Sequence, residues 1–342
     1  MRLAPDPATY RRAEGPPFAS TCSPKVGIPA RILGKLGHRA WVRDSKIAAV
    51  LERTEGQMAD EKIAILVDSG SDVPEQYRER YGMYVAPLTI IYSDAEYRDG
   101  VDIQPEDVFA RFADEIPSTS LPSPATVADI FKQIKADGYE KVIAVVISSG
   151  LSGTYELISS FGPYPEGLQA CYVDTKNIGI GSGFSAIRAV ELIEGGRPFT
   201  EVCSRVEDAA RNTKIYFCVS TLSYLIKGGR IGRVAGMVGT VLDLKPVISC
   251  GEDGIYYTVS KARGRKKSLR LALDEAVKFA AGASEYNITV MHGAAKEEAD
   301  ALLAAMKERL PNYRIAIVGQ ITPALVVHTG PGLIGIGVQR LG

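Results

Sequence analysis

The chain has 342 residues, 46% of them hydrophobic, enough to bury a sizeable core and to fill about two domains of ~100–200 residues each. Forty basic residues offset forty acidic ones, so no global field steers the chain towards nucleic acid or anionic lipid. Disorder and a membrane span are excluded as well: the longest apolar runs, such as Val142–Ile147, fall far short of the ~18–20 residues a span needs.

Residues 1–57 differ in composition from the rest of the chain. They hold Pro5, Pro7, Pro16, Pro17, Pro24 and Pro29, the only tryptophan (Trp41), and ten basic against five acidic residues. No sustained period of two or 3.6 runs through the first thirty residues, so the segment reads as a loosely ordered extension. Residues 58–68 look like a fresh beginning, a short polar lead into a buried strand, and Met58 is a candidate native start. An arm packed on the body is the alternative. Without the extension the zero balance becomes thirty basic against thirty-five acidic residues, a mildly acidic body.

From there apolar runs alternate with helical patterns. Strands are expected at Lys62–Val67, Val85–Tyr92, Lys141–Ile147 and Ala170–Val173, and helices at Gln104–Ala113, Ala125–Asp137, Thr154–Phe161 and Ser182–Gly195. Strands that are apolar throughout fit a parallel sheet covered on both faces. A second unit has strands at Ile215–Val219, Pro246–Cys250, Tyr256–Val259, Asn287–His292, Arg314–Val318 and Ala324–Thr329, with helices at Ser268–Ala281 and Lys296–Leu310. This predicts an α/β fold of two domains, 58–217 with a parallel α/β/α sheet and 218–342 as a smaller two-layer α/β sandwich.

Several loops after strands are richer in Ser, Thr and Gly than packing requires. In Asp68-Ser69-Gly70-Ser71-Asp72 the simplest role of Ser71 and Asp72 is capping the next helix. The Ser118–Pro124 turn offers hydroxyls and amides at a helix N-terminus, a candidate anion site. Ser148–Tyr155 lies at the carboxyl end of an apolar strand, where α/β sheets bind ligands. Ser152 has Gly150 two residues before it but Thr154 two after, so the GxSxG nucleophile elbow fails. No GxxxxGK[ST] phosphate loop occurs, and the glycines of 179–183 lack the GxGxxG order. Arg230, beside Gly228-Gly229, either pairs with a surface acid or recognises a carboxylate or phosphate as a fork. His328 ends a strand at Gly330-Pro331-Gly332 and stands evenly between structural and anion-binding roles, whereas His292 reads as structural. Five scattered cysteines outside CxxC spacing read as reduced thiols of a cytoplasmic protein, and three histidines leave little for a metal centre. Lys261–Lys267 is the strongest local charge feature; its options are a solvated loop, nucleic acid, which the balanced body disfavours, or a partner surface.

Taken together and in this order, Asp68–Asp72, Ser118–Pro124, Ser148–Tyr155, Leu222–Ile231, Lys261–Lys267 and His328–Gly332 resemble the DegV family, fatty-acid-binding subunits of bacterial fatty acid kinase. The resemblance covers about residues 60–342 and has no counterpart for 1–57. It implies two α/β domains enclosing one long-chain fatty acid in a tunnel between them. Its carboxylate contacts map to Thr119, Ser152, Arg230 and His328, with Ser120 and Gly153 beside them; Leu121 replaces the glutamine often found in the family's turn. It further implies no cofactor, no catalysis by this chain alone, and a separate ATP-dependent kinase as partner, with Arg263, Arg265, Lys266 and Lys267 as the docking surface or as a cover for the phosphate. A serine hydrolase acting on lipid esters through Ser152, and a lipid sensor without a kinase, are the competing classes.

Overall fold

The computed structural model describes residues 61–161, 167–237 and 244–341, so the expected extension and a start at Met58 lie outside the described residues. Strands β1 (Ile63–Asp68), β2 (Tyr84–Ala86), β6 (Lys141–Val146) and β7 (Gln169–Asp174) form a parallel sheet in the order β2-β1-β6-β7. A small antiparallel sheet, β4-β3-β5, joins β3 (Thr89–Ile91), β4 (Glu96–Arg98) and β5 (Ser118–Ser120). The second large sheet has the order β10-β9-β8-β13-β11-β12. Its strands are β8 (Thr213–Cys218), β9 (Leu244–Cys250), β10 (Tyr256–Arg263), β11 (Glu285–His292), β12 (Tyr313–Gln320) and β13 (Ile334–Leu341). Only β11 and β12 pair in parallel within it.

The helices are α1 (Glu75–Arg80), α2 (Pro105–Arg111), α3 (Pro124–Ala136), α4 (Thr154–Ser160), α5 (Ile180–Glu194), α6 (Phe199–Arg211), α7 (Ser223–Lys227), α8 (Arg265–Ala280), α9 (Lys296–Arg309) and α10 (Pro323–Thr329). Period-2 geometry explains the apolar runs 63–67 of β1 and 142–146 of β6, because alternate residues enter different cores. Ala64, Leu66, Val142 and Ala144 pack with Val127, Phe131 and Ile134 of α3. Ile65, Val67, Ile143 and Val145 face the opposite way, into the core that holds Phe184 and Ile187 of α5. The six-stranded sheet is covered on its outer face by α8 and α9, through Leu269, Leu273, Leu303 and Met306.

Helix α5 lies between the two large sheets, touching β1 and β6 on one side and β8, β11 and β13 on the other. Two glycines allow this fit. A Cβ on Gly181 would sit 2.6 Å from Ile215 Cγ2 of β8, and one on Gly183 would sit 2.5 Å from the Ser71 carbonyl oxygen. The glycine run at 179–183 is therefore close packing between layers.

Several expectations are corrected. The strand expected over Val85–Tyr92 is two strands in two sheets, interrupted at Pro87, which cannot donate to a ladder. Ala324–Thr329 is a helix, with Pro323 in its first turn and Gly330, at φ +69°, just past its end. The second sheet, with six strands against four, is the larger, and 217/218 falls inside β8. Ser71 and Asp72 do not cap the next helix: α1 starts after Pro74 with no side-chain cap.

Candidate functional site

The carboxyl end of the parallel sheet, the small sheet and α10 converge on a cavity of about 190 Å³. Thr119, Ser120, Ser152, Arg230 and His328 reach its wall from separate segments of the chain, alongside Leu88, Ile147, Leu151 and Tyr256. Each has a local reason to be there. Thr119 is in β5, paired with Ile90 of β3. Ser152 is in the turn that leads from β6 into α4, and Arg230 follows the break after α7. His328 sits in the last turn of α10, which packs on α2, α7, β3 and β5. Gly153, grouped with these by sequence, is not on the cavity wall; it is exposed and opens α4.

Thr119 Oγ1 and His328 Nε2 share a hydrogen bond of 2.7 Å, joining residues 209 positions apart. Burial, and then the neighbouring Arg230 guanidinium, push the His328 imidazole down to about 4, so it is neutral at pH 7. Its buried Nδ1 has no hydrogen-bond partner. The Arg230 fork is anchored by its Nε donating to the Leu151 carbonyl at 3.2 Å and its Nη1 to the Gly228 carbonyl at 2.8 Å. Ser152 Oγ lies 2.8 Å from Thr154 Oγ1. The cavity thus collects the Arg230 guanidinium, the hydroxyls of Thr119, Ser120 and Ser152 and a neutral imidazole around space sized for a small anionic group.

A second, narrower space of about 40 Å³ adjoins it, sharing Ile178, Tyr256, Leu325 and Thr329 as walls. Its lining is almost wholly apolar: Ile215, Phe217, Met291, Ile321 and Leu333, with Asp72 at one point. Three of its wall residues are glycines, Gly179 before α5 and Gly335 and Gly337 of β13. In β13, Ile334, Ile336 and Val338 enter the outer core under α8 and α9, while Gly335 and Gly337 line the narrow space. The room exists because that face of the strand carries no side chains. Neither β13 nor this role was expected from sequence; alternating Ile-Gly-Ile-Gly-Val was the available signal.

The β9–β10 turn packs on the turn that carries Ser152. Ser148 Oγ donates to the Gly254 carbonyl at 3.1 Å, and a Cβ on Gly254, at φ +79°, would lie 1.8 Å from that hydroxyl oxygen. Arg233 pairs with Asp253 of the same turn through two hydrogen bonds, at 2.6 and 2.9 Å.

The basic run is elsewhere. Arg263 ends β10 and Arg265–Lys267 form the first turn of α8, so this is a strand end and a helix start and not a loop. Arg265 is held by Glu298 at 2.6 Å, while Arg263, Lys266 and Lys267 are exposed or partly exposed. At ~3.3 Å per residue, Arg263 is roughly 23 Å along β10 from Tyr256 at the cavity wall, too far to cover a group reacting there. His292 is structural as expected: it is buried, and its Nδ1 accepts from Ala295 N at 3.5 Å.

A family model described as "Uncharacterised protein, DegV family" matches residues 62–341. The chain belongs to the DegV family. A DegV domain-containing protein of Clostridium acetobutylicum is 41% identical over 282 residues, covering 82% of this chain and 99% of its own. Among solved structures, a fatty-acid-binding DegV family protein from Thermus thermophilus superposes with a TM-score of 0.77 at 30% identity, covering 82% of this chain and all of that one. A stearic-acid-binding protein from Eubacterium ventriosum gives a TM-score of 0.74 at 29% identity, over 81% of this chain and 98% of that one. The DegV fold accounts for both sheets and for the helix layer between them. No helix among the described residues is long and apolar enough to cross a membrane.

Proposed function

We propose that this DegV family chain binds one long-chain fatty acid, its carboxylate in the polar cavity and its tail in the apolar space behind. The observation that carries the reading is that the polar cavity and the apolar space share Ile178, Tyr256, Leu325 and Thr329 as walls; in this reading the ligand joins them into one passage, polar at one end and apolar at the other. The fatty-acid-binding protein of Thermus thermophilus and the stearic-acid-binding protein of Eubacterium ventriosum support the ligand class.

Burial gains about 0.8 kcal/mol per CH2, so a chain of roughly sixteen carbons brings on the order of 11 kcal/mol, gross, towards binding. Met291 and Leu325, flexible side chains on the tail wall, shift rotamers to admit it. The carboxylate is the costly end to desolvate, and it is met by Arg230, Ser152 and Thr119. With His328 Nε2–H donating to Thr119 Oγ1, the threonine keeps its own proton for the ligand. The neutral imidazole is an orienting group and not a base for Ser152: it faces Thr119, and its Nδ1 has no carboxylate to fix it, which disfavours a serine hydrolase.

In this reading the protein presents the carboxylate to an ATP-dependent kinase, which transfers a phosphoryl group to give an acyl phosphate. Arg263, Lys266 and Lys267 serve as a docking surface remote from the reacting carboxylate. Native mass spectrometry of the purified protein, followed by denaturing extraction, tests the ligand. One fatty acid per chain is expected; failure of the delipidated protein to take up stearate overturns the reading. Acyl phosphate formed only when protein, kinase and ATP are combined separates a kinase subunit from a lipid sensor.

A further inference from the structure

The Asp68–Asp72 motif does not cap the helix that follows it, and of its residues only Asp72 lines either space, the apolar one. Asp68, Ser69 and Asp72 accept from main-chain N–H groups of the surrounding segments, while Ser71 Oγ donates to Ser182 Oγ at 3.3 Å. Asp68 Oδ2 accepts from Ile147 N at 2.8 Å. Ser69 Oγ accepts from Leu88 N at 2.9 Å and donates to Asp99 Oδ2 at 2.6 Å. Asp99 Oδ1 accepts from Ala324 N at 3.0 Å, and Asp72 Oδ1 from Thr322 N at 2.9 Å. Asp68, Ser69, Asp72 and Asp99 are all buried.

The donors are not arbitrary. Leu88, Ile147 and Ala324 pack together as a small apolar cluster and line the polar cavity. Each is also the residue from which a segment departs towards one polar contact. Leu88 precedes β3, which is paired through Ile90 with Thr119. Ile147 leads into the turn that carries Ser152. Ala324 is one helical turn before His328 on α10, a helix of seven residues that has no cap from the Thr322 side chain, so the free first-turn N–H of Ala324 needs an outside acceptor.

We infer that Asp68, Asp72 and Asp99, with Ser69 as the bridge, are positioning residues that hold the three cavity segments in register through their backbone N–H groups. The cluster is poorly suited to a stabilising role. Burial raises Asp68 and Asp72 to about 7 and Asp99 to about 6, and the charges of Asp68 and Asp72 are further opposed by that of Asp99. A raised folded-state value favours the folded chain below the ordinary carboxylate value of about 4, and that contribution is lost as pH rises through 6 to 7. The trio therefore contributes less to stability at neutral pH than at about pH 4. Asp68 Oδ1 and Asp72 Oδ2 have no hydrogen-bond partner, so the cluster is not a saturated network either.

The inference rests on the fatty-acid reading only for its affinity measurement, and the test separates the two. In delipidated protein labelled with 15N-histidine, the His328 Nε2 resonance reports the bond to Thr119, with Thr119→Val as the reference for its loss. Asp99→Ala should move that resonance towards the Thr119→Val position and weaken stearate binding at least tenfold. Asp99→Asn, which keeps an oxygen for Ala324 N, should restore both to within about threefold of the unmodified protein. If Asp99→Ala does not fold, Ser69→Ala, which cuts the link between Leu88 and Asp99, takes its place with the same expectations. A folded Asp99→Ala, or Ser69→Ala in its stead, with an unmoved resonance and unchanged stearate affinity overturns the inference. Failure of Asp99→Asn to rescue overturns it as well. If the unmodified protein binds no stearate, the proposed function falls, and the His328 resonance alone still decides the positioning role.

Discussion

The two ends of the passage are built in opposite ways. The polar end takes Thr119, Ser152, Arg230 and His328 from separate turns and short elements, whereas the apolar end is walled mainly by β8, β11 and β13 and by the entry to α5. A head group needs a few donors at fixed places, and turns can supply each independently. A tail needs volume without polarity, and here a regular strand supplies it by leaving side chains out at Gly335 and Gly337. The two ends should accordingly fail in different ways, affinity at one and chain-length preference at the other.

The largest expected effect is at the polar end. Thr119→Val combined with Ser152→Ala removes two hydroxyls that face a charged acceptor, each contributing about 1.5–3 kcal/mol, so affinity should fall by roughly a hundredfold or more. A fluorescent fatty-acid displacement assay should show the loss equally for short and long acids; a length-dependent loss would break the division between the ends.

Gly335→Leu tests the apolar end. A Cβ there meets Phe217 Cβ at 3.8 Å, an ordinary contact, so the backbone tolerates it and the side chain intrudes on the tail space. Each displaced CH2 costs about 0.8 kcal/mol, or roughly fourfold, so the preferred acid should shorten while the head-group interactions persist. Unchanged selectivity across acids of graded length would show that the tail does not pass β13.

Reversing Lys266 and Lys267 to Glu should touch neither end, lowering kinase-dependent acyl-phosphate formation roughly tenfold at unchanged fatty-acid affinity, as rim charges mainly govern association. A simultaneous loss of affinity would contradict their remoteness from the cavity. The smallest effect is protonic. The His328 value is depressed to about 4, so its contribution to stability is present above the ordinary value of about 6.5 and is lost as pH falls through 4. An anionic carboxylate beside the ring raises that value, so binding should take up a fraction of a proton at pH 5 and none at pH 8. Calorimetry in buffers of different ionisation enthalpy measures this directly, and equal uptake at both pH values would exclude a carboxylate next to His328.

The polar end was legible in part: the Ser-, Thr- and Gly-rich stretches 118–124 and 148–155 stood out by composition, while the set Thr119, Ser152, Arg230 and His328 was implied by the family resemblance. The residues expected to gather did so except Gly153, which opens α4. The apolar end was not legible. Phe217, Met291 and Leu333 look like any core residues, and the strand with the two glycines offered only weak β signals. Ala324–Thr329 misled because a short apolar run carries no decisive period, and Pro323 and Gly330 were the boundary marks that counted. The Asp68–Asp72 motif stood out in the sequence but pointed to a local task; its partners lie 19 to 250 residues away, beyond what spacing can convey.

Helix α5 bears on how the protein comes apart. Eleven of its fifteen residues are buried, and it covers one large sheet with the same turns that cover the other. Neither sheet can lose its partner without exposing Phe184 and Ile187 to water, so the layers should melt in one cooperative transition with a single calorimetric peak. The same sharing means that a chain cut at 217/218 should give two insoluble pieces and not two domains.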